Sequence, residues 1–256
     1  MVNIEQLYLY TLTDDSGMAP NPYYGTCTLA ACKPRIRSGA GNYAIDELKK
    51  KIKQREGKSQ WRKPLQVKYG NTLTQLKAHG SIRDLGIWVA GVAGVKHGEG
   101  RLVYLMQITD IMTMEEYSAH AECKRPRGIA SGTPPSEITN DDYAKSGDNL
   151  YDFSDEGNPA QRPGFHDDGN ITGDLSGRYV LLSDNFVYYG REAIKDWKRK
   201  GVIGHSVIMK EDLPEYMACD IEELFSSGTR RDIMSRPFDS VMSDANFEDA
   251  KKAVWF

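Results

Sequence analysis

Apolar positions along the chain fall into short runs punctuated by turn residues. Residues Gln6 to Thr13 alternate weakly and are rich in Leu and Tyr, which predicts a first strand, and the DDSG that follows is turn chemistry. Ile45, Leu48 and Ile52 recur at helical spacing in AIDELKKKIKQ with lysines on the other side, predicting a surface helix with a basic face, and a second short helix is predicted over Thr72 to His79. LGIWVAGVAG and RLVYLMQITDIM are apolar runs separated by the Gly-rich VKHGEG, the pattern of a core β-hairpin. Thr113, followed three residues later by Glu116, is a capping box opening a helix in TMEEYSAH.

From Lys124 to Gly177 the pattern changes: Gly, Pro, Asp and Asn dominate and apolar periodicity fades. A loop of that length inside a compact domain is either functional or disordered. Its aromatic-punctuated pieces, GDNLYDF and GFHDDGN, read as lid elements. Order resumes in RYVLLSDNFVYYG, two β-rich runs broken by SDN, and in REAIKDWKRKG, read as a helix closed by glycine with basic residues opposing its dipole. The tail is helical in pieces, with Ser243 or Asp244 as a cap for ANFEDAKKAVWF. Without regular βαβ alternation the expected class is α+β, with a mixed or barrel-like sheet. One domain over residues 1–256 is expected, with a Lys-rich helical insertion at about 46–80 and a helical C-terminal extension at about 206–256.

Composition changes this picture little, but charge distribution does. The 256 residues are 39% hydrophobic and 27% charged, with a formal net charge of -3, which announces no nucleic-acid partner by itself. Yet twelve basic residues stand against three acids between Lys33 and Lys68, so one face can be basic and attract phosphate. No apolar run approaches the roughly 20 residues of a membrane span, and the expectation is a cytoplasmic protein without a membrane partner. Cys27, Cys32, Cys123 and Cys219 are expected to be thiols rather than a disulfide frame.

The densest chemistry lies in GMAPNPYYGTCTLAACKPRIR, residues 17–37, and three readings compete. Zinc is disfavoured, because Cys27 and Cys32 lack a second close pair of ligands. A reactive thiol draws support from Lys33 and Arg35 beside Cys32, since nearby cations favour thiolate, but the bases available, His166 and His205, are far away in sequence. Two small buried thiols are the plainer expectation. The pocket reading uses most of the segment: Asn21, Tyr23, Tyr24 and Thr28 to stack on or hydrogen-bond a base, with Lys33, Arg35 and Arg37 to clamp phosphate. A Pro-braced loop with a solvated basic edge would read the same way.

Elsewhere, Trp88 in GIWVAG is a core residue or a stacking platform. Glu116 is committed to capping, which leaves Glu115 for acid or base work. Asp148 and Asn149 in GDNLY, and His166 with Asp167 and Asp168 in GFHDDGN, supply acid, base or metal-binding chemistry or else form surface turns. No Walker loop, GxGxxG fingerprint or GxSxG elbow is present.

The order of pieces, from YLYTLTDDSGMAPNPYYGTCTLAACKPRIR through GIWVAG, RLVYLMQITDIMTMEEY and GDNLY to RYVLLSDNFVYYG, resembles the second family of nucleotide-modification-associated domains, predicted DNA base hypermodification proteins of phages and bacteria. The resemblance covers about residues 5 to 205. Two departures stand out: Gly86-Ile87-Trp88 replaces the family's Gly-Asp-Trp, and the Lys-rich segment from Asp46 to Gly80 looks inserted. The Gly-Trp strand and the ITDIMT ending also look like the small barrel of PUA, ASCH and EVE domains, although fold does not fix function.

The resemblance implies a role beside the making, reading or processing of modified bases. An enzyme acting on a nucleotide or flipped base would stack the ring on Tyr23, Tyr24 or Trp88, bind it further through Asn21, Thr28 and Asn149, and hold phosphate with Lys33, Arg35 and Arg37. Proton transfer would fall to Glu115, Asp148 or His166, with Lys33 also a catalytic candidate. A non-catalytic reader of modified DNA, or a small-nucleotide-binding protein of phage defence or counter-defence, uses the same pocket. Partner expectations are therefore a nucleotide or DNA; the cosubstrate and the oligomeric state are unknown from sequence.

Overall fold

The computed structural model describes residues 1–37, 82–126, 147–155, 159–164, 166, 168–177, 179–194, 197, 206–240 and 242–253. The helices expected over 45–52 and 72–79 lie outside these residues. The fold is α+β, and no closed barrel forms among the described residues.

The main sheet has six strands in the order β10 (Ser206–Met209), β1 (Gln6–Leu12), β3 (Ile87–Ala93), β4 (Leu102–Gln107), β9 (Phe186–Tyr188) and β11 (Arg231–Ile233), while β6 (Tyr151–Asp152) and β7 (Ala160–Gln161) form a separate two-stranded ribbon. In it β1 runs parallel to β3, which pairs antiparallel with β4 at the centre of the sheet. The predicted hairpin is thus present. It bulges between Gly91 and Val92, where Gly91 makes room for the Tyr104 ring: a Cβ there would sit 2.3 Å from it. β9 (Phe186–Tyr188) extends this sheet, whereas its chain neighbour β8 (Tyr179–Ser183) leaves for a second sheet of order β2-β8-β5. That sheet uses β2 (Cys27–Leu29) and β5 (Asp110–Thr113). Hence the apolar run RLVYLMQITDIM is two strands in two sheets, broken at Ile108 and Thr109.

Alternation along β3 builds two cores at once. Ile87 and Val89 join Tyr10, Leu29 and Leu181 between the sheets, while Trp88, Ala90 and Val92 face the opposite side with Met217, Ile221 and Phe225. Those three are spaced by four residues along α4 (Glu215–Phe225), so one helix stripe covers the outer face of the large sheet. The second sheet is covered in turn by α2 (Met114–His120), by α3 (Ile171–Ser176) and by Leu150 and Tyr151, a third core that includes Ala30 and Ala31. The layers therefore run helix, six strands, three strands, helices. Capping follows the sequence: Thr113 and Glu116 close the predicted box on α2, and Ser243 accepts from the Asn246 amide to start α5 (Asp244–Lys252).

Two expectations change. The C-terminal stretch holds α4 and α5 but also both edge strands of the large sheet, β10 (Ser206–Met209) and β11 (Arg231–Ile233). REAIKDWKRKG opens as a 3-10 turn over Gly190–Glu192 followed by a β-bridge from Ile194 to Leu102, and its last residues are not described. No helix among the described residues is long and apolar enough to cross a membrane.

Candidate active site

Where β2 ends, the chain passes two buried alanines and then makes an unusual turn. Cys32 and Lys33 both adopt left-handed backbone, at φ 38° and 48°, before α1 (Pro34–Arg37) begins. Two successive non-glycine residues there cost roughly 1–2 kcal/mol each, which the surroundings must offset. They do so with fixed polar contacts. The Cys32 amide donates to Asp174 Oδ1 at 3.1 Å, and the Arg37 guanidinium donates from Nε to the Cys32 carbonyl at 2.8 Å. Asp174 sits on α3, inside the Gly- and Pro-rich segment, so the turn is tied to a helix more than a hundred residues away.

The same carboxylate orients a histidine. Asp174 Oδ2 lies 2.6 Å from His166 Nδ1 and accepts from the Tyr151 hydroxyl at 2.7 Å, and His166 Nε2 faces Cys32 Sγ at 3.5 Å. The result is a linear relay, carboxylate to imidazole to sulfur, in which each ring nitrogen serves a different partner. Burial alone would lower His166, but its bond to Asp174 and the neighbouring sulfur more than offset this and raise the imidazole to about 10. Burial pushes Asp174 the other way from its partners, and the His166 bond prevails, holding the carboxyl below its usual value. At neutral pH the ring is therefore an imidazolium, with one N–H toward the Asp174 carboxylate and the other toward the Cys32 sulfur.

These three side chains also offer ligand atoms within 4.8 Å of one another. A metal on all three would need His166 to give up one of its two hydrogen bonds, because a ring nitrogen cannot both hold its proton and ligate.

Arg37 fixes the frame. Its guanidinium is fully buried and donates to three backbone carbonyls, those of Cys32, Tyr179 (3.1 Å) and Asp174 (2.5 Å), so it joins the sulfur-bearing turn to the carboxylate-bearing helix and to β8. Burial lowers it to about 10, with Asp174 opposing the fall. Gly177 leaves the space: a Cβ there would lie 2.5 Å from the guanidinium carbon.

The residues proposed for a stacking pocket are placed elsewhere. Tyr23 and Tyr24 are buried, with Tyr23 edge-on to Phe247 of α5. Trp88 lies on the far face of the large sheet, tilted 4.8 Å from Phe225, and donates to the Asn3 carbonyl. Asn21 and Thr28 face inward. The ammonium of the buried Lys124 donates to the Asn21 carbonyl and side chain and to the Thr26 carbonyl, and Thr28 donates to Asp148 at 2.6 Å. Asp148 is fully buried, also bound by the Tyr117 hydroxyl at 2.6 Å, and burial raises its carboxyl. Asn149 donates to the Tyr117 and Ala121 carbonyls at the end of α2. GDNLY is therefore an internal brace between β2 and α2. Glu115 lies half-buried in the first turn of α2. The side chains of Arg35, Asp167 and Asp168 lie outside the description.

Of the candidate residues, His166 bonds Cys32, and Lys33 follows Cys32 in the same left-handed turn. The sulfur expected to be a core anchor is half-buried and bonded to His166, whereas Cys27 is the fully buried thiol, raised by that burial. Asp174 and Tyr151 carried no sequence signal of their own. A pointer exists in hindsight: a cysteine with flanking cations, and one loop holding both a histidine and an aspartate eight residues apart.

The comparisons with known proteins add one finding. No curated protein and no solved structure matches the chain. The nucleotide modification associated domain 2 family matches residues 4–46 and 72–243, leaving out most of the Lys-rich stretch and spanning Cys32, His166 and Asp174. The chain belongs to the nucleotide modification associated domain 2 family.

Proposed function

We propose that the protein is a thiol enzyme of DNA base hypermodification or modified-nucleotide processing, with Cys32 as nucleophile, His166 as acid and base, and Asp174 as the group that orients them. The observation that carries this reading is the run of contacts from Asp174 through His166 to Cys32 Sγ, at 2.6 and 3.5 Å. The substrate is a nucleotide, or a base flipped out of DNA, bearing an acyl group or about to receive one.

The Cys32 sulfur attacks a carbonyl carbon and forms a C–S bond; the bond to the leaving nitrogen or oxygen breaks, and that atom takes the proton held on His166 Nε2. The thioester is resolved by water or an acceptor amine, which gives its proton back to His166 as the C–S bond breaks. Asp174 keeps the ring in register and stabilises its cationic form.

The test is a nucleoside inventory. DNA from cells expressing the wild-type chain and the Cys32→Ala variant is digested and analysed by mass spectrometry. A nucleoside present with wild type and lost or shifted with the variant is the expected result, and identical profiles from wild type, variant and empty cells would overturn the enzyme reading. A reader of modified bases would instead bind modified over plain DNA in a salt-sensitive way, with no dependence on Cys32.

A further inference from the structure

Lys33 follows the nucleophile in the same left-handed turn, and its environment is unlike that of a surface lysine. It is half-buried, and its ammonium stands 5.2 Å over the Tyr10 ring, which is anchored in the core by a hydroxyl bond with Tyr104. Among the described residues no carboxylate lies within ion-pair distance of that ammonium; Asp14 acts on it only at longer range. Burial lowers the Lys33 pKa, and Cys32, its neighbour in the turn, opposes that fall. A partly desolvated cation beside a nucleophile, held by a ring face rather than by an anion, has coordination left for a substrate. Arg37, the other described cation of the motif, has its donors committed to backbone carbonyls.

Resting on the reading of Cys32 as nucleophile, we infer that Lys33 is the anion subsite of this centre, binding a carboxylate or phosphate oxygen of the substrate next to the carbon that Cys32 attacks. Selectivity would then come from charge placed beside the reacting atom. A neutral analogue of the same shape would leave a half-buried ammonium unpaired and react more slowly.

The test needs no knowledge of the substrate. Iodoacetate and iodoacetamide each alkylate a thiol by forming an S–CH2 bond and expelling iodide, and they differ in one negative charge. Rates at Cys32 are measured by peptide mass spectrometry on the full chain, with the exposed Cys219 as internal reference. The iodoacetate-to-iodoacetamide ratio at Cys32 is expected to fall about tenfold in Lys33→Gln and to be kept in Lys33→Arg, the size expected for one nearby, partly screened charge. An unchanged ratio in Lys33→Gln, with Cys32 still outpacing Cys219 toward iodoacetamide, overturns the subsite and leaves the nucleophile standing. Neither reagent favouring Cys32 over Cys219 in the wild type overturns the nucleophile reading itself. Should Lys33→Gln fail to fold, inorganic phosphate and acetate titrated against iodoacetamide labelling of the wild type decide the matter. Protection by phosphate alone assigns a phosphate group, protection by acetate alone a carboxylate, and protection by neither overturns the subsite.

Discussion

At the scale of single residues, Asp174 ties together the two groups on which the proposed chemistry rests. Its two oxygens hold the Cys32 amide and the His166 ring, with the Tyr151 hydroxyl as third partner. Replacing Asp174 with Asn should slow iodoacetamide labelling of Cys32 by about 10²-fold, because the imidazole loses both its orientation and its counter-charge; an unchanged labelling rate would remove Asp174 from the machinery. The pH dependence has a definite sign. His166 titrates at about 10 in the folded chain and near 6.5 unfolded, so the pair's contribution to stability is complete below about pH 6.5 and is lost as pH rises through about 10. The urea midpoint of wild type should therefore approach that of His166→Gln as pH is raised from about 7 to about 10. Asp174 behaves oppositely: its depressed carboxyl contributes above the ordinary aspartate range, and that contribution disappears as acid reaches its lowered value.

At the scale of elements, the turn at Cys32 and Lys33 depends on a strut and the space for it. Arg37→Met keeps bulk but leaves three carbonyls, two of them in buried bonds, without this donor, and should cost about 3 kcal/mol in urea unfolding. Gly177→Ala pushes a methyl into the guanidinium and should cost about 1–3 kcal/mol while also slowing Cys32 labelling. A substitution that lowers stability without touching the labelling rate would separate Arg37 from the site. Elements of this kind were legible in the chain where local rules govern them. The first strand, the β3–β4 hairpin, the capping box at Thr113 and Glu116 and the Ser243 cap follow from periodicity and side-chain chemistry within a few residues. The site was legible only in part, since Lys33 and His166 could be named as candidates while the meeting of His166 with Cys32 depends on a contact spanning 134 residues. Tyr23, Trp88 and Arg37 have the composition of a nucleotide pocket, yet each is buried; residue type reports what a side chain can bind, and only the fold decides what it meets.

For the whole molecule, the C-terminal stretch closes the architecture. β10 and β11 flank the large sheet, α4 covers its outer face, and the loop after β11 latches onto the turn after β1: the Phe238 amide donates to Asp15 Oδ2, the Asp15 amide donates to Asp239 Oδ2, and His97 bonds the same carboxylate. A chain ending at residue 205 would expose the Trp88 face and leave β1 and β9 as open edges. It should fail to give a soluble product with a cooperative melt, whereas a soluble, cooperatively unfolding fragment would show that the stretch is an accessory.

The shared grip of Asp174 on nucleophile and base also governs how such a site can drift over generations. Serine at position 32 should leave the His166 ring in place, because Asp174 holds the ring from the other side. A change as small as Asp174 to Glu shifts the backbone of one partner and the imidazole of the other together. The sulfur proposed as nucleophile is therefore the replaceable part of this arrangement, and the carboxylate behind it is the part least free to vary.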